Sequence, residues 1–346
     1  KDVADVESLR TDGETNFDTI FKHVTSFWEK FSHDVLIENP NSYMVAELTD
    51  MNDLYDIYGA GSKRYPSKTN LIGKFLTDSG LTSVANYDYF FSTLPEIFAK
   101  NFNNGQGSTN GTNYLDKLLH DKMVNPETGF IRSAQQQALM LSYNFLNNHD
   151  NTRALHMLAL DADMFHGIEN HWTNSDNRAE AVRLLTGDWN DSSPNINAYN
   201  FDRMSSKDLA MASALKNGII ETLDKIEQEG IFSSERTEYI KEGLRASLTE
   251  IANGTFDGST FEKDSFGTKP IDMAIDFTIE NARNNGFEIS EKEMNILSEK
   301  IFECIMTPAY QKYNAMMQFL VALPGNPTIY SGDDLGSTGF EYETKN

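Results

Sequence analysis

The sequence predicts an α/β fold built around a parallel sheet, and three observations support this prediction. Helical and strand-like patterns alternate over the first 146 residues, the short apolar strands run into polar residues, and one more strand of this kind comes near the C-terminus. Alternation of helix and strand is typical of parallel strands joined by helical crossovers. Polar residues at strand ends are typical of a pocket at the carboxyl edge of such a sheet.

The first elements are a helix and a short strand. Apolar residues recur at helical spacing and predict an amphipathic helix over roughly 16–33, with a break at Pro40 and Asn41. The apolar positions are Phe17, Ile20, Val24, Phe27, Trp28 and Phe31. A buried strand over 43–46 ends at Glu47, and a loop rich in Gly, Ser and Lys continues to about residue 80.

Two more strands complete the alternating region. A brief strand over 81–84 leads into an aromatic helix around 89–102, and a short helix is predicted around 114–119. The apolar run 141–146 is the next strand, and it ends in Asn147-Asn148-His149-Asp150. An abrupt change from apolar to polar residues is how a buried strand reads when it delivers side chains to a pocket.

From about residue 155 to 315 the strand patterns stop and four helices are predicted. Ser205-x-x-Asp208 and Ser290-x-x-Glu293 read as capping boxes, and Pro270 as a helix start. The predicted stops are Gly230, Gly254, Gly286 and Pro308. We interpret residues 155–308 as a helical subdomain inserted between residues 1–154 and 309–346.

A last apolar run, Met317–Leu323, precedes another strand-like segment near the C-terminus. It reads Pro324-Gly-Asn-Pro-Thr-Ile-Tyr-Ser-Gly-Asp-Asp334, a β-rich stretch that ends in glycine and two carboxylates. This segment therefore repeats the pattern of a strand with polar groups at its end.

The composition excludes several classes of partner. The net charge of −23 argues against nucleic acid and anionic membranes, which require clustered cations, and suits a neutral substrate. Cys304 is the single cysteine, so no internal disulfide forms. The longest apolar stretches are shorter than the roughly 18 residues of a membrane helix, and no signal peptide is visible.

The carboxylates at the strand ends suit glycoside hydrolysis. Retaining hydrolysis uses two carboxyl groups about 5–5.5 Å apart, one as nucleophile and one as acid. Each residue also has a plainer interpretation: Glu47 as a solvated strand end, Asp150 as a helix cap, and Asp333 with Asp334 as turn residues. Their occurrence at three strand ends in this order favours one shared site.

Four segments resemble the α-amylase superfamily, glycoside hydrolase family 13. Phe145-Leu-Asn-Asn-His-Asp150 is similar to its seventh-strand motif Phe-Val-x-Asn-His-Asp, and Asn151-Thr-Arg153 continues as in many α-amylases. Tyr43-Met-Val-Ala-Glu47 resembles the fifth-strand motif, Val84-Ala-Asn-Tyr-Asp-Tyr89 the sixth-strand region, and Pro324–Asp334 the eighth. The resemblance covers about 43–160 and 310–346, and the helical region lies outside it.

The resemblance implies roles for individual residues. Glu47 is the general acid/base, and Asp150 is the second carboxylate that stabilises the oxocarbenium-like transition state. His149 binds the sugar hydroxyls. The further substrate-binding residues are Asn148, Arg153, Asp333 and Asp334, together with Lys1 and Asp2 from a fourth-strand motif.

The nucleophile departs from the family pattern. The family motif Gly-x-Arg-x-Asp is absent, and the best alignment of Lys1-Asp2-Val3 places the nucleophile just before Lys1. The first-strand motif of the family is also absent. On this alignment we expect the chain alone to lack the nucleophile and to be an inactive fragment.

The implied fold is the C-terminal half of a (β/α)8 TIM barrel, with strands five to eight and a large helical insertion between strands seven and eight. Four parallel strands cannot close a barrel and leave two unpaired edges. We therefore expect a missing N-terminal half of the barrel as a partner. No cofactor is required; a structural Ca²⁺ is common in the family, but no ligand for it is assignable here.

The expected function is hydrolysis of α-1,4 bonds in α-glucans by double displacement. Alternatives are transglycosylation by the same chemistry, a non-catalytic α-glucan-binding protein, and a helical interaction module in 155–315. A polymeric substrate predicts an extracellular or cell-surface location, with the cytoplasm as the alternative.

Overall fold

The computed structural model describes residues 17–47, 75–85, 141–148, 153–160, 206–253, 266–323 and 325–338. The helices in these ranges are α1 (Phe17–Glu38), α2 (Ala154–Leu160), α3 (Ser206–Gln228), α4 (Ser234–Asn253), α5 (Ile271–Asn284) and α6 (Glu291–Ala322). A 3-10 turn covers Phe266–Thr268, and residues 75–79 are also helical. The strands are β1 (Val45–Ala46), β2 (Ser83–Ala85), β3 (Ser142–Phe145) and β4 (Asn326–Thr328).

The four strands form one parallel sheet in the order β1-β2-β3-β4. Val45 pairs with Ser83, Val84 with Ser142, and Tyr143 with Asn326. Each strand overlaps a segment that the sequence predicts as a strand and is shorter than that segment, and β2 ends one residue later than predicted, at Ala85. A parallel sheet in sequence order occurs in several α/β architectures, so half of a (β/α)8 barrel stays a prediction.

A chain of hydrogen bonds links the amino-terminal ends of all four strands. The Asn326 amide donates to the Tyr43 hydroxyl at 3.3 Å, Tyr43 donates to Ser83 Oγ at 2.8 Å, and Ser83 donates to the Leu141 carbonyl at 2.5 Å. Asn326 and Tyr43 belong to opposite edges of the sheet. Because side chains stand roughly perpendicular to a sheet, their contact indicates that the sheet curves around this side.

The packing of α1 differs from the prediction. Phe27 and Phe31 of the predicted apolar face are 62% and 45% exposed, whereas Thr25 and Ser32 are buried. Their hydroxyls are satisfied by backbone carbonyls: Thr25 donates to Phe21 O at 2.8 Å within α1, and Ser32 donates to Ser79 O at 2.7 Å, 47 positions along the chain. The buried face of α1 therefore contains small hydroxyl side chains beside Phe21, which hydrophobic periodicity does not detect.

The prediction of a loop up to residue 80 is wrong for its last part. Residues 75–79 are helical, with Phe75 and Leu76 buried. Gly80 ends this segment with φ of +64°, and its N–H donates to Leu76 O at 3.1 Å. Glycine adopts this left-handed conformation without a Cβ clash, so it is a common residue just past a helix end.

Each of the helices α3 to α6 buries a stripe of apolar residues. Their buried members are Leu215, Ile219, Leu223, Ile226, Ile240, Leu244, Leu248, Ile251, Ile271, Ile275, Ile279, Leu297, Ile301 and Ile305. Met294 is half-buried. The capping box of α6 is confirmed, since Ser290 Oγ accepts from Glu293 N–H at 3.3 Å and Glu293 Oε2 accepts from Ser290 N–H at 2.9 Å.

The prediction that Pro308 ends the last helix is wrong. α6 runs through Pro308 to Ala322 and takes in most of the apolar run 317–323. Proline inside a helix removes one hydrogen bond and costs about 3 kcal/mol. Here the buried stripe continues on both sides of it, through Ile305, Ala309 and Leu320, so burial of that face offsets the loss.

The chain divides into two compact units. Among the described residues, the first unit contains α1, the four strands and residues 318–322 of α6. The second contains α2 to α5, residues 291–317 of α6 and residues 330–338. The domain limits predicted at 154/155 and 308/309 stay predictions. The helices predicted around 89–102 and 114–119, and Ser205 and Gly254, lie outside the described residues.

Candidate functional site

The structure places some of the predicted site residues, and others lie outside the described residues. Lys1, Asp2, His149 and Asp150 lie outside the described residues. Glu47 directly follows β1, belongs to the first unit and is half-buried. The residues in the second unit are Asn148, Arg153 and Asp333, which are buried, and Asp334, which is exposed.

Arg153 and Asp333 form a buried ion pair in the second unit. Nη1 of Arg153 lies 3.2 Å from Oδ1 of Asp333, and the two side chains are 5% and 1% exposed. Nη2 of Arg153 donates to the Ser331 carbonyl at 2.7 Å, and the guanidinium lies 4.9 Å from the centroid of the Tyr330 ring. The cation is thus held by a carboxylate, a backbone carbonyl and an aromatic face.

Asn147 joins the same carboxylate. Its Nδ2 donates to Asp333 Oδ1 at 2.5 Å, and its Oδ1 accepts from the Ala154 N–H at 2.5 Å. Ala154 is the first residue of α2, so this amide also satisfies a backbone donor at a helix N-terminus. Asn147 is 1% exposed.

A tight turn presents Asp333 to these partners. Asp333 Oδ2 accepts from the Tyr330 N–H at 2.9 Å, and the Asp333 N–H donates to Tyr330 O at 2.9 Å. Gly332 has φ of +91°, and a Cβ there would lie 2.6 Å from Ser337 Oγ and 3.3 Å from Arg153 Nη2. Glycine is therefore required at this position of the turn.

The electrostatics of the site are dominated by burial. Burial raises the pKa of Asp333 above its ordinary value, although Arg153 and the hydrogen bonds from Tyr330 and Asn147 act in the opposite direction. Burial and the neighbouring Asp333 also raise the pKa of Tyr313, whose hydroxyl accepts from Asn147 Nδ2 at 3.5 Å. Tyr313 therefore remains a neutral phenol and acts here only through hydrogen bonds.

The arrangement joins the Asp333 carboxylate to the side chains of Asn147 and Arg153 and to the backbone of Tyr330. Both oxygens of Asp333 accept bonds from protein donors. Two of those donors, Asn147 and Arg153, bracket the chain segment that contains Asn148, His149 and Asp150.

Two residues of this cluster, Asn147 and Tyr313, are not among the site residues that the sequence predicts. Asn147 follows β3 and is two residues after Phe145. Side chains two apart along a strand point to the same face, so this spacing predicts that Asn147 is buried like Phe145. Tyr313 continues the i, i+4 series of Ile305 and Ala309 on α6. Only its hydroxyl distinguishes it from an ordinary core position.

A second polar surface lies between α3 and α6. A groove of about 270 Å³ is lined by residues that include Glu221, Lys225, Lys300, Glu303 and Cys304. Its charges pair with one another, as in Lys225–Glu221 at 2.8 Å. Burial raises the pKa of the Cys304 thiol, which makes it a poor nucleophile. The geometry gives this groove no catalytic arrangement.

Among the described residues, no group of three or more His, Cys, Asp or Glu side chains could hold a metal ion. In the same part of the chain, the helices are all too short or too polar to cross a membrane.

Comparisons with family models, curated proteins and solved structures gave no match to this chain.

Proposed function

We propose that this chain is the C-terminal half of the catalytic barrel of a retaining glycoside hydrolase that cleaves α-1,4 bonds in α-glucans. On this proposal a preceding segment supplies the nucleophile and the remaining strands. The chain would then belong to the α-amylase superfamily, which residues 43–47, 84–89, 145–153 and 324–334 resemble.

The observation that carries the proposal is the buried pair Arg153–Asp333. Arg153 belongs to the segment that resembles the seventh-strand motif, and Asp333 to the segment that resembles the eighth. The two residues are 180 positions apart in the chain, and their side chains meet at 3.2 Å. Such proximity is expected if the two motifs belong to one site.

The sheet gives a second line of support. In the proposed barrel, strands five to eight are parallel, follow one another in sequence order and curve around a common axis. The sheet β1-β2-β3-β4 has that order and direction, and the Asn326–Tyr43 hydrogen bond is consistent with that curvature.

The proposed chemistry is double displacement. The nucleophilic carboxylate attacks the anomeric carbon while Glu47 protonates the departing glycosidic oxygen. Glu47 then takes a proton from water, which attacks the anomeric carbon and releases the nucleophile. Asp150 stabilises the positive charge on the sugar ring, and His149 binds the hydroxyls beside it.

The role of Glu47 suits its surroundings. It directly follows a strand of a parallel sheet and is half-buried, so it is partly shielded from water yet open on one side. A polymeric α-glucan substrate further places the enzyme outside the cell or on its surface.

The test uses the polypeptide that includes the residues preceding Lys1. Wild type, Glu47→Gln and the control Glu38→Gln are assayed on maltoheptaose, with the anomeric configuration of the first product followed by NMR. Glu38 is an exposed residue at the end of α1, so its variant controls for loss of one charge. We expect α-configured products from wild type and Glu38→Gln, and turnover lower by about 10²–10⁴-fold for Glu47→Gln.

Other outcomes redirect the proposal. Undiminished turnover by Glu47→Gln refutes its assignment as acid/base. Products longer than maltoheptaose identify a transglycosylase. Wild-type protein that binds maltoheptaose by calorimetry but never cleaves it is a binding protein.

A further inference from the structure

The hydroxyl of Thr82 bonds both backbone groups of Met44, one residue before β1 begins. The Met44 N–H donates to Thr82 Oγ1 at 2.6 Å, and Thr82 Oγ1 donates to the Met44 carbonyl at 2.9 Å. The N–H of the next residue, Ser83, donates to the same carbonyl at 3.0 Å. Met44 is therefore joined to the start of β2 through a side chain as well as through the backbone.

The pairing between β1 and β2 is short. Its register pairs are Val45 with Ser83 and Ala46 with Val84. A slip by one residue turns every side chain of a strand to the opposite face of the sheet. Because two pairs supply few backbone hydrogen bonds, the bonds from Thr82 to Met44, directly before these pairs, add substantially to what holds β1 in register.

The register of β1 decides the face on which Glu47 lies. Side chains two apart along a strand point to the same face, so the alternation of β1, continued into its flanking residues, places Tyr43, Val45 and Glu47 on one face. Tyr43 and Val45 are exposed and Ala46 is buried, in agreement with this alternation. The Tyr43 hydroxyl donates to Ser83 Oγ at 2.8 Å on the side around which the sheet curves.

We propose that Thr82 is a positioning residue for Glu47, because it fixes the register in which β1 presents Glu47 on the concave side of the sheet. This inference rests on the proposed function, which takes Glu47 as the acid/base. Thr82 acts through the backbone of Met44, since its hydroxyl both accepts from that residue and donates to it.

The physical reason is the sensitivity of proton transfer to the placement of the acid. A displacement by about 1 Å is enough to lower the rate about 10²-fold, and a slip by one residue moves a strand by about 3.3 Å. The same slip turns Glu47 to the opposite face. Loss of the Thr82 bonds should therefore act on the proton transfers by Glu47 far more than on substrate binding.

The test compares Thr82→Val, Thr82→Ser and Thr25→Val in the polypeptide that includes the residues preceding Lys1. Valine keeps the size of threonine and removes the hydroxyl, whereas serine keeps the hydroxyl. Thr25→Val is the matched control, because the Thr25 hydroxyl also belongs to a buried threonine and donates to a backbone carbonyl, but within α1.

Turnover is measured on maltoheptaose, and separately on α-maltotriosyl fluoride in the presence of azide. In the second reaction the nucleophilic carboxylate attacks the anomeric carbon, fluoride departs without a proton, and azide then displaces the carboxylate to give the glycosyl azide. Because neither step needs a proton transfer, this reaction does not depend on an acid/base.

For Thr82→Val we expect kcat on maltoheptaose lower by about 10²-fold and KM within about threefold of wild type. Its turnover of the fluoride should stay within about threefold of wild type, because the nucleophile is not displaced. Thr82→Ser and Thr25→Val should match wild type on both substrates.

Hydrogen exchange of the peptide 42–47 tests the contact independently of activity. Thr82→Val removes the acceptor of the Met44 N–H, so exchange in this peptide should be faster than in wild type. Thr82→Ser keeps that acceptor and should retain the wild-type rate.

Four results would overturn the proposal. They are wild-type turnover of maltoheptaose by Thr82→Val, an equal loss on both substrates, unchanged exchange in residues 42–47, and a loss in Thr82→Ser as large as in Thr82→Val. If Thr82→Val does not fold, Thr82→Ala takes its place and is judged by the same results. A wild-type polypeptide without activity on either substrate refutes the proposed function itself, whereas an active wild type with unchanged exchange in Thr82→Val rejects the role of Thr82 alone.

Discussion

Arg153 and Asp333 lie 180 positions apart in the chain and form an ion pair with side chains that are 5% and 1% exposed. By contrast, Lys225 and Glu221 on α3 pair at 2.8 Å with side chains that are 55% and 62% exposed. Burial makes the two pairs energetically different. Solvent screens the exposed pair, whereas the buried pair depends on its own geometry and on the hydrogen bonds around it.

Arg153→Met should destabilise the protein strongly. The substitution keeps most of the side-chain volume but leaves the Asp333 carboxylate buried without its cation, and breaking a buried pair in this way costs about 3–5 kcal/mol. The free energy of unfolding from urea titrations measures the loss. The double variant Arg153→Met, Asp333→Asn should recover part of it, because no uncompensated charge remains.

The exposed pair provides the matched control for this prediction. Lys225→Met removes the same charge from a helix surface and should change stability by less than about 1 kcal/mol. Equal losses in Arg153→Met and Lys225→Met would contradict the view that burial gives the Arg153–Asp333 pair its energetic weight.

Acid should weaken the helical part of the protein through Glu293. The hydrogen bond from Arg236 lowers the pKa of Glu293 from 4.5 to about 2, and bonds from Ser290 contribute to this shift. Because the pKa is lower in the folded state, the carboxylate stabilises folding at pH values above 4.5, and this stabilisation is lost as the pH falls from 4.5 towards 2. The difference corresponds to about 3 kcal/mol.

Glu293→Gln should therefore be less stable than wild type at pH 7 and should show a flatter loss of stability below pH 4.5. Thermal unfolding between pH 7 and pH 2.5 measures both effects. Glu291→Gln removes a charge from the same turn of α6, where Glu291 is exposed, and should keep the wild-type profile. A Glu293→Gln profile parallel to that of wild type would show that another group governs the acid response.

Most helices of the helical region could be predicted from the sequence, because the start residues, the apolar spacing and the stop residues of each helix agree. In α5, Pro270 precedes the first helical residue, Ile271, Ile275 and Ile279 repeat at one spacing, and Gly286 follows the end with φ of +91°. Local propensity, apolar period and turn chemistry all predict the same helix. The same agreement between pattern and turn residues explains why the short strands could be located.

The wrong predictions concern positions where long-range contacts, and not local sequence patterns, determine the structure. Pro308 reads as a helix stop, yet long-range burial of Ile305, Ala309 and Tyr313 carries α6 through it. Thr25 and Ser32 read as polar positions on α1, yet they face the core because their hydroxyls find backbone carbonyls. In the candidate site, the sequence motifs include Arg153 and Asp333. Their ion pair is a long-range tertiary contact, which only the structure shows.

Gly218→Ala tests how tightly α3 and α6 pack. A Cβ at Gly218 would lie 2.5 Å from Cγ1 and 2.7 Å from Cδ1 of Ile305. Alanine improves helix propensity by about 1 kcal/mol over glycine, whereas overpacking of a core costs about 1–3 kcal/mol. Because Cγ1 is not the flexible end of the side chain, we expect overpacking to prevail and Gly218→Ala to lose about 1–2 kcal/mol in urea unfolding.

Asn217→Ala, at the exposed neighbouring position, gains helix propensity without a clash and should not lose stability. In the background of Ile305→Ala, which removes the clashing atoms, Gly218→Ala should stabilise the protein; a further loss in that background would mean that the two helices do not meet at this pair.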